Sequence, residues 1–367
     1  MKSGLWLRMV RSSRFLLLTG ISVTVLTLAF GFWSLRAQRQ QVQHLARENL
    51  VAVLDGKMAA ISSWIGERKS DGQQVRERPD LRLYLSDREN ATLGSEIEDW
   101  MASMCRDYGY AALVLLDSNV NLLLESPAGA SERYARLSHY ADGALQERNV
   151  GISEIHRSLV DGTVHFSIMV PIGLANEEGK PAAGLMVMVV NPEDYLFPLV
   201  QTWPFKSATS EALLVRREDT SVLFLHDLRH KTGAALTLRF PLDDPDLPAA
   251  ASFAGDYVNV REGLDYRDAP VLAATAPVPG TPWHMVVKSD KSEVYAGFNS
   301  ISWKWGIQMV LLVGFVWLGG YSLWRFSQMD LLEEELERKH ASEAAAQEAA
   351  MRLKLANKTT GLGVWEW

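Results

Sequence analysis

Two uncharged apolar runs, residues 15–33 and 305–324, constrain this chain more than any other feature. They hold 19 and 20 residues. A helix of that length rises about 28–30 Å, the thickness of a bilayer's hydrocarbon core. Lys2, Arg8, Arg11 and Arg14 precede the first run without an acidic residue. A cleaved signal peptide shares that basic start, but its apolar core is shorter and ends in small residues. Here Gly31-Phe32-Trp33-Ser34-Leu35-Arg36 follows, bulky and then basic, which favours an uncleaved anchor. Trp303, Trp305, Tyr321 and Trp324 mark the ends of the second run, where aromatic rings favour the headgroup region. Basic residues ahead of the first span place both termini in the cytoplasm and residues 34–304 outside.

Composition narrows what the outer part does. With 37 Lys plus Arg against 44 Asp plus Glu, the formal charge is −7, which argues against a nucleic-acid partner. One cysteine, Cys105, excludes an internal disulfide and any cysteine-rich metal centre. Hydrophobic residues at 47% and charged ones at 22% describe a folded chain.

The outer region begins with a helical pattern from residue 35 to about 69. It contains no proline, and Val42, Leu45, Asn49, Val53, Ile61, Trp64 and Ile65 recur at helical spacing. After Pro79 a short helix through Ile97 and Met101 leads to a hairpin, 110–117 and 120–125, around Asp117-Ser118-Asn119. A helix over 133–146 and strands at 151–157, 163–171 and 183–190 complete an α+β module with helices against one sheet face. The order then repeats: a helix over 194–203, a hairpin of 212–217 and 221–225, and strands at 252–260, 270–277 and 283–288.

A span, a stalk helix, two αβ modules and a second span resemble the double Cache sensor of bacterial receptors. The resemblance covers residues 35–300. It rests on Ser63-Trp64-Ile65-Gly66-Glu67-Arg68, on the hairpin of 110–126, on Gly263-Leu264-Asp265-Tyr266-Arg267 with Pro270-Val271-Leu272-Ala273-Ala274, and on residues 277–288. It implies a fold class of α+β: a long stalk helix with two PAS-like modules. The expected divisions are 1–14 cytoplasmic, 15–33 first span, 34–79 stalk, 80–193 distal module, 194–302 proximal module, 303–326 second span, 327–359 linker helix and 360–367 the start of a further domain.

No enzyme signature occurs: no GxSxG, HExxH or GxGxxG stands in its required context. Residues 173–180 are one residue too long for a phosphate loop and are followed by Pro181. His226 and His230 lie four apart in what reads as a solvated loop, so no metal site is assigned. Asp243-Asp244-Pro245-Asp246 is broken by proline and reads as a loop. The resemblance implies a small-molecule site in the distal module, between its sheet and the helix–loop side. There Arg133, Tyr134, Arg136 and Tyr140 from the helix, with His156, Arg157, His165 and Phe166 from the strands, would line it. Aromatic walls with cationic heads suit a small organic anion. The amino-acid-binding subgroup carries a Trp on that helix and an Asp at the end of the last distal strand. This chain has neither, since the strand ends Val189-Val190-Asn191, and amino-acid sensing is not expected.

Residues 329–360 contain neither Gly nor Pro and read as a helix of about 30 residues. Leu332, Leu336, Ala346, Ala350 and Leu353 fit a heptad seam that Lys339 and Glu343 interrupt, so a coiled-coil homodimer and a solvated single helix both fit. Gly361 and Gly363 end it, and Val364-Trp365-Glu366-Trp367 resembles the first strand of a PAS domain. The expectation is the front part of an inner-membrane receptor whose partners are the bilayer, a small ligand and a second copy. A histidine kinase output, acting on a cytoplasmic response regulator, leads. A diguanylate cyclase, or a tethered binding protein without enzymatic output, is the alternative. No cofactor is expected in this segment; ATP or GTP would belong to the output domain.

Overall fold

The structure is a computed structural model describing residues 13–133, 137–147, 149–173, 182–255 and 259–360. The expected cytoplasmic start (mostly), Tyr134, Arg136, most of the 173–180 loop and the 361–367 strand lie outside the described residues. The chain divides into two compact units, residues 42–296 and the two terminal segments 1–41 with 297–367.

In the terminal unit, helix α1 (Ser13–Glu77) and the last helix (Ala296–Thr360) each contain a segment long and apolar enough to cross a membrane. The two segments touch: the Trp317 indole donates to Thr24 Oγ1 at 3.1 Å, beside Gly20, where a Cβ would lie 3.9 Å from the Trp317 ring.

Within residues 42–296, the buried stripe of α1 is Leu50, Val53, Leu54, Lys57, Ile61, Trp64 and Ile65. This corrects the expected stripe, since Leu45 and Asn49 are exposed. Arg78 adopts extended backbone (φ −63°, ψ 122°) before Pro79, which ends α1 and opens α2 (Pro79–Ser86) at its first turn. Asn90 caps α3 (Ala91–Tyr108), accepting from Leu93 N at 3.1 Å, and Gly109 closes it at φ 72°.

The distal sheet is formed by β1 (Ala112–Asp117), β2 (Leu122–Ser126), β3 (Gly151–Ile152), β4 (His156–Arg157), β5 (Val164–Ile172) and β6 (Gly184–Val190), in the order β2-β1-β6-β5-β3 with β4 on β5. Both faces are covered, which corrects the expectation of helices on one face only. Leu113, Leu115, Phe166, Ile168, Val170, Met186 and Met188 join the core shared with α1. Ala112, Val114, Met169, Leu185, Val187 and Val189 pack beneath α4 (Ala130–Arg133) and α5 (Leu137–Gln146). Two-sided burial is why β6, and β5 from Ile168 onward, read as apolar runs and not as alternation. The stalk approaches the first face closely: a Cβ at Gly72 would lie 2.9 Å from Val150 and 3.1 Å from Val170.

Helix α6 (Leu196–Gln201) leads into the proximal sheet. Its strands are β7 (Glu211–Glu218), β8 (Ser221–Phe224), β9 (Arg239–Pro241), β10 (Asn259–Leu264), β11 (Pro270–Pro277) and β12 (Trp283–Asp290), in the order β10-β11-β12-β7-β8-β9. The strand expected at 252–260 is absent over its first residues. Pro248 opens a helical turn, α7 (Pro248–Ala251), and a 3-10 turn over Ser252–Ala254 follows it. Asp244 Oδ1 accepts from Asp246 N and Leu247 N, so the expected acidic loop braces that turn. Past β12 come α8 (Lys291–Val294) and α9 (Ala296–Thr360). Glu293 accepts from Ala208 N and Thr209 N, tying the end of β12 to the entry of β7.

Candidate functional site

The distal face beneath α4 and α5 carries a polar group inside an otherwise apolar layer. Strand alternation puts His165 and Ser167 on the same face as Met169, while Phe166 between them points to the stalk side. Phe166 is therefore not a wall of this site, contrary to its expected place. His156 pairs with His165 in the β4–β5 register, their rings 4.1 Å apart and edge to face. Tyr140, half-buried on α5, lies 5.5 Å from the His156 ring. His156 Nδ1 donates to the Glu154 carbonyl at 2.8 Å. Burial, reinforced by His156, lowers the His165 pKa to about 4, so the ring is neutral at pH 7. Ser167 Oγ is fully buried and has no hydrogen-bond partner among the described residues. Ser153 sits opposite it: Ser153 N donates to Ser167 O and Ser167 N donates to Ser153 Oγ, each at 2.8 Å.

At the rim, Arg133 Nε lies 3.4 Å from Asp161 Oδ2, and Ser158 Oγ donates to the Arg133 carbonyl at 2.8 Å. Hydrogen bonds from the Thr163 hydroxyl and amide hold the Asp161 carboxyl down at about 2, so it stays charged. Of the expected residues, the structure brings Tyr140, His156 and His165 together and sets Arg133, at the end of α4, against Ser158 and Asp161 of the β4–β5 turn. Arg157 faces away, since neighbours on a strand alternate. It is exposed and donates to Gly162 O at 2.7 Å and to Ala235 O of the proximal module at 3.1 Å. Ser153 and Ser167 escaped the sequence reading, although counting two residues on from His165 locates Ser167.

The equivalent face of the proximal module buries charged groups in place of neutral ones, and a cavity of about 260 Å³ lies beside its Glu211, between His226 and Arg229. Lys288, 1% exposed, sits 3.2 Å from Glu211 and 2.6 Å from Asp265. Tyr266 donates to Glu211 at 2.8 Å, and Arg267 bridges Asp265 and Asp290. His226 is a buried core residue and not a solvated loop one. Its Nε2 accepts from Leu214 N at 3.1 Å and its Nδ1 donates to Asp227 O at 2.6 Å, leaving neither nitrogen for a metal. Among the described residues no group of three or more His, Cys, Asp or Glu side chains is arranged to hold a metal ion. A further groove of about 410 Å³ runs along α1 past Gly56, Lys57 and Phe205. Lys57 there donates to the Leu199 and Thr202 carbonyls at the end of α6.

No family model and no curated protein matches the chain. Solved structures do. The extracellular domain of soHK1S-Z6, assigned as a histidine kinase, is 12% identical, with 71% of this chain and 99% of that one covered at a TM-score of 0.53. The sensory domain of the Campylobacter jejuni chemoreceptor Tlp3 with isoleucine bound is 12% identical, with 70% and 96% covered at a TM-score of 0.50. The fold is that of a double Cache sensory domain. Nearly the whole of each neighbour is spanned, so the likeness extends over the full length of those domains. At this identity the likeness carries the fold, and residue roles rest on the geometry above.

Proposed function

We propose that this chain is the sensory input of a bacterial inner-membrane receptor. Its distal double Cache module takes a small molecule outside the cytoplasm, and the two apolar helix segments anchor it and carry the signal. The observation that supports this most is the contrast on one face of two like sheets: buried uncharged polar groups around Ser167 in the distal module, and a buried network of paired charges in the proximal one. The sensory domains sharing the fold give the same class of function, and Tlp3 is one with a bound small molecule. Arg133, Tyr140, His156 and His165, with Tyr134 and Arg136 from the same helix–loop side, are the ligand-binding set. A small organic anion fits them: Arg133 meets its charge at the rim, while the imidazoles and Ser167 meet its oxygens within.

The output reading is a histidine kinase, entered through a helical linker and a PAS domain and acting on a response regulator from a homodimer. The extracellular domain of soHK1S-Z6, assigned as a histidine kinase, supports the kinase part of that reading, and a diguanylate cyclase is the alternative. Isoleucine in Tlp3 favours a second reading of the ligand, an amino acid held by the same face. Thermal unfolding of the full chain in detergent separates the two. A ligand at a hundredfold its dissociation constant stabilises the native state by about 2.7 kcal/mol. Short carboxylates should shift the transition, and the shift should vanish in Arg133→Ala and His156→Ala. A shift with amino acids alone would replace the anion reading. No shift across both panels would remove the proposal.

A further inference from the structure

The strands that build the distal face carry a second set of contacts on their other side. Glu154 lies between β3 and β4. Its carbonyl accepts from His156, while its carboxylate accepts from Arg216 of proximal β7 at 2.7 Å. Phe166, between His165 and Ser167, packs edge to face on Trp283 at 5.6 Å and on Trp64 of the stalk at 5.9 Å. Trp283 and Arg216 are themselves paired across β12 and β7. One pair of segments thus holds His156, His165 and Ser167 on one side and contacts a single cross-strand pair of the proximal module on the other. Trp283 opens β12, and eight residues later β12 passes into α8 and α9, which contains the second apolar segment.

The receiving pair is also not at its hydrogen-bonding optimum. Trp283 Nε1 and Arg216 Nε are buried donors with no acceptor among the described residues. Native interiors rarely leave such groups unpaired, so this pair is held by packing and by the Glu154 contact more than by its own hydrogen bonds. We propose that Glu154 and Phe166 form a relay joint that passes displacement of β4 and β5 through Arg216 and Trp283 into β12. The proposal rests on the distal module being the receiving site, and it gives Glu154 and Phe166 a positioning role without ligand contact.

The test is backbone hydrogen exchange on the full chain in lipid nanodiscs, with the pocket disturbed by substitution so that no ligand identity is needed. Tyr140→Ala and His156→Ala each loosen the histidine stack from a different side. Each should raise exchange at least threefold in 156–168 and also in 283–290. With Glu154→Gln added, or Glu154→Gln with Phe166→Leu, the change in 156–168 should persist while that in 283–290 falls to background. Glu154 has a side chain 42% exposed, so its single variant folds even where Phe166→Leu does not. The joint is overturned if neither pocket variant alters 283–290, or if that response survives Glu154→Gln and the double variant unchanged. A failed ligand screen would leave this result standing, so the two proposals fail separately.

Discussion

The two sheets share one plan. Distal β2-β1-β6-β5-β3 and proximal β8-β7-β12-β11-β10 follow the same order, each with its first hairpin beside its last strand. The faces turned away from the stalk differ in what they bury. The distal face sets His165 and Ser167 among alanines and valines, while the proximal face sets Lys288, Glu211, Asp265 and Tyr266 beside Phe224. A buried charge network of this kind fixes one arrangement, because breaking it strands a charge in a poorly solvated place. Neutral polar groups such as Ser167 Oγ leave hydrogen-bonding capacity for something else. One plan thus carries paired charges on one face and uncharged polar groups on the other, the difference on which the proposed division of labour rests.

Substitutions sharpen that contrast, the largest effect first. Lys288→Met should cost about 3–5 kcal/mol in urea unfolding, because Glu211 and Asp265 lose their buried cation. A cost under about 1 kcal/mol would show the proximal face to be solvated and the contrast false. Tyr266→Phe should cost about 1–3 kcal/mol by the same assay, the worth of a buried hydrogen bond to a charged acceptor. Lys57→Met leaves the Leu199 and Thr202 carbonyls without their donor and should cost about 1 kcal/mol. Burial has already lowered the Lys57 pKa to about 8, which limits what its charge contributes.

The last prediction concerns pH. His165 binds its proton near 4 in the folded chain and near 6.5 when unfolded, so the unfolded state holds more protons in between. Stability should therefore fall as pH is lowered from about 6.5 toward 4. Burial pushes His226 down as well, so it adds to the same slope. His165→Asn should shallow the slope without abolishing it, as measured by urea midpoints across that window. An unchanged slope would mean His165 is not held neutral by burial.

Much of this was legible in the sequence where a local rule decides it. The two apolar runs, the Asp117–Asn119 hairpin and the paired modules follow from hydropathy and turn residues. The errors came where tertiary context overrides a local pattern. A second layer on the distal sheet was hidden because two-sided burial removes alternation from β6 and from β5 past Ile168. Pro248 with three alanines made a helical turn of a segment that reads as strand. Residue type put Tyr140, His156 and His165 into one candidate set, and the structure places these three rings side by side. Arg157 was misplaced because a side chain's face depends on strand register, and β4 is only two residues long. The Glu154–Arg216 pair, 62 residues apart in the chain, leaves no local signal at all.

The central claim is that the distal module receives and the proximal module does not. Its most direct test is hydrogen exchange of the full chain with and without pooled short carboxylates and amino acids at millimolar concentration. The account predicts the largest protection in 137–172, with weaker changes reaching 283–290. Protection concentrated in 226–266 with 137–172 unchanged, or no protection anywhere, would contradict it.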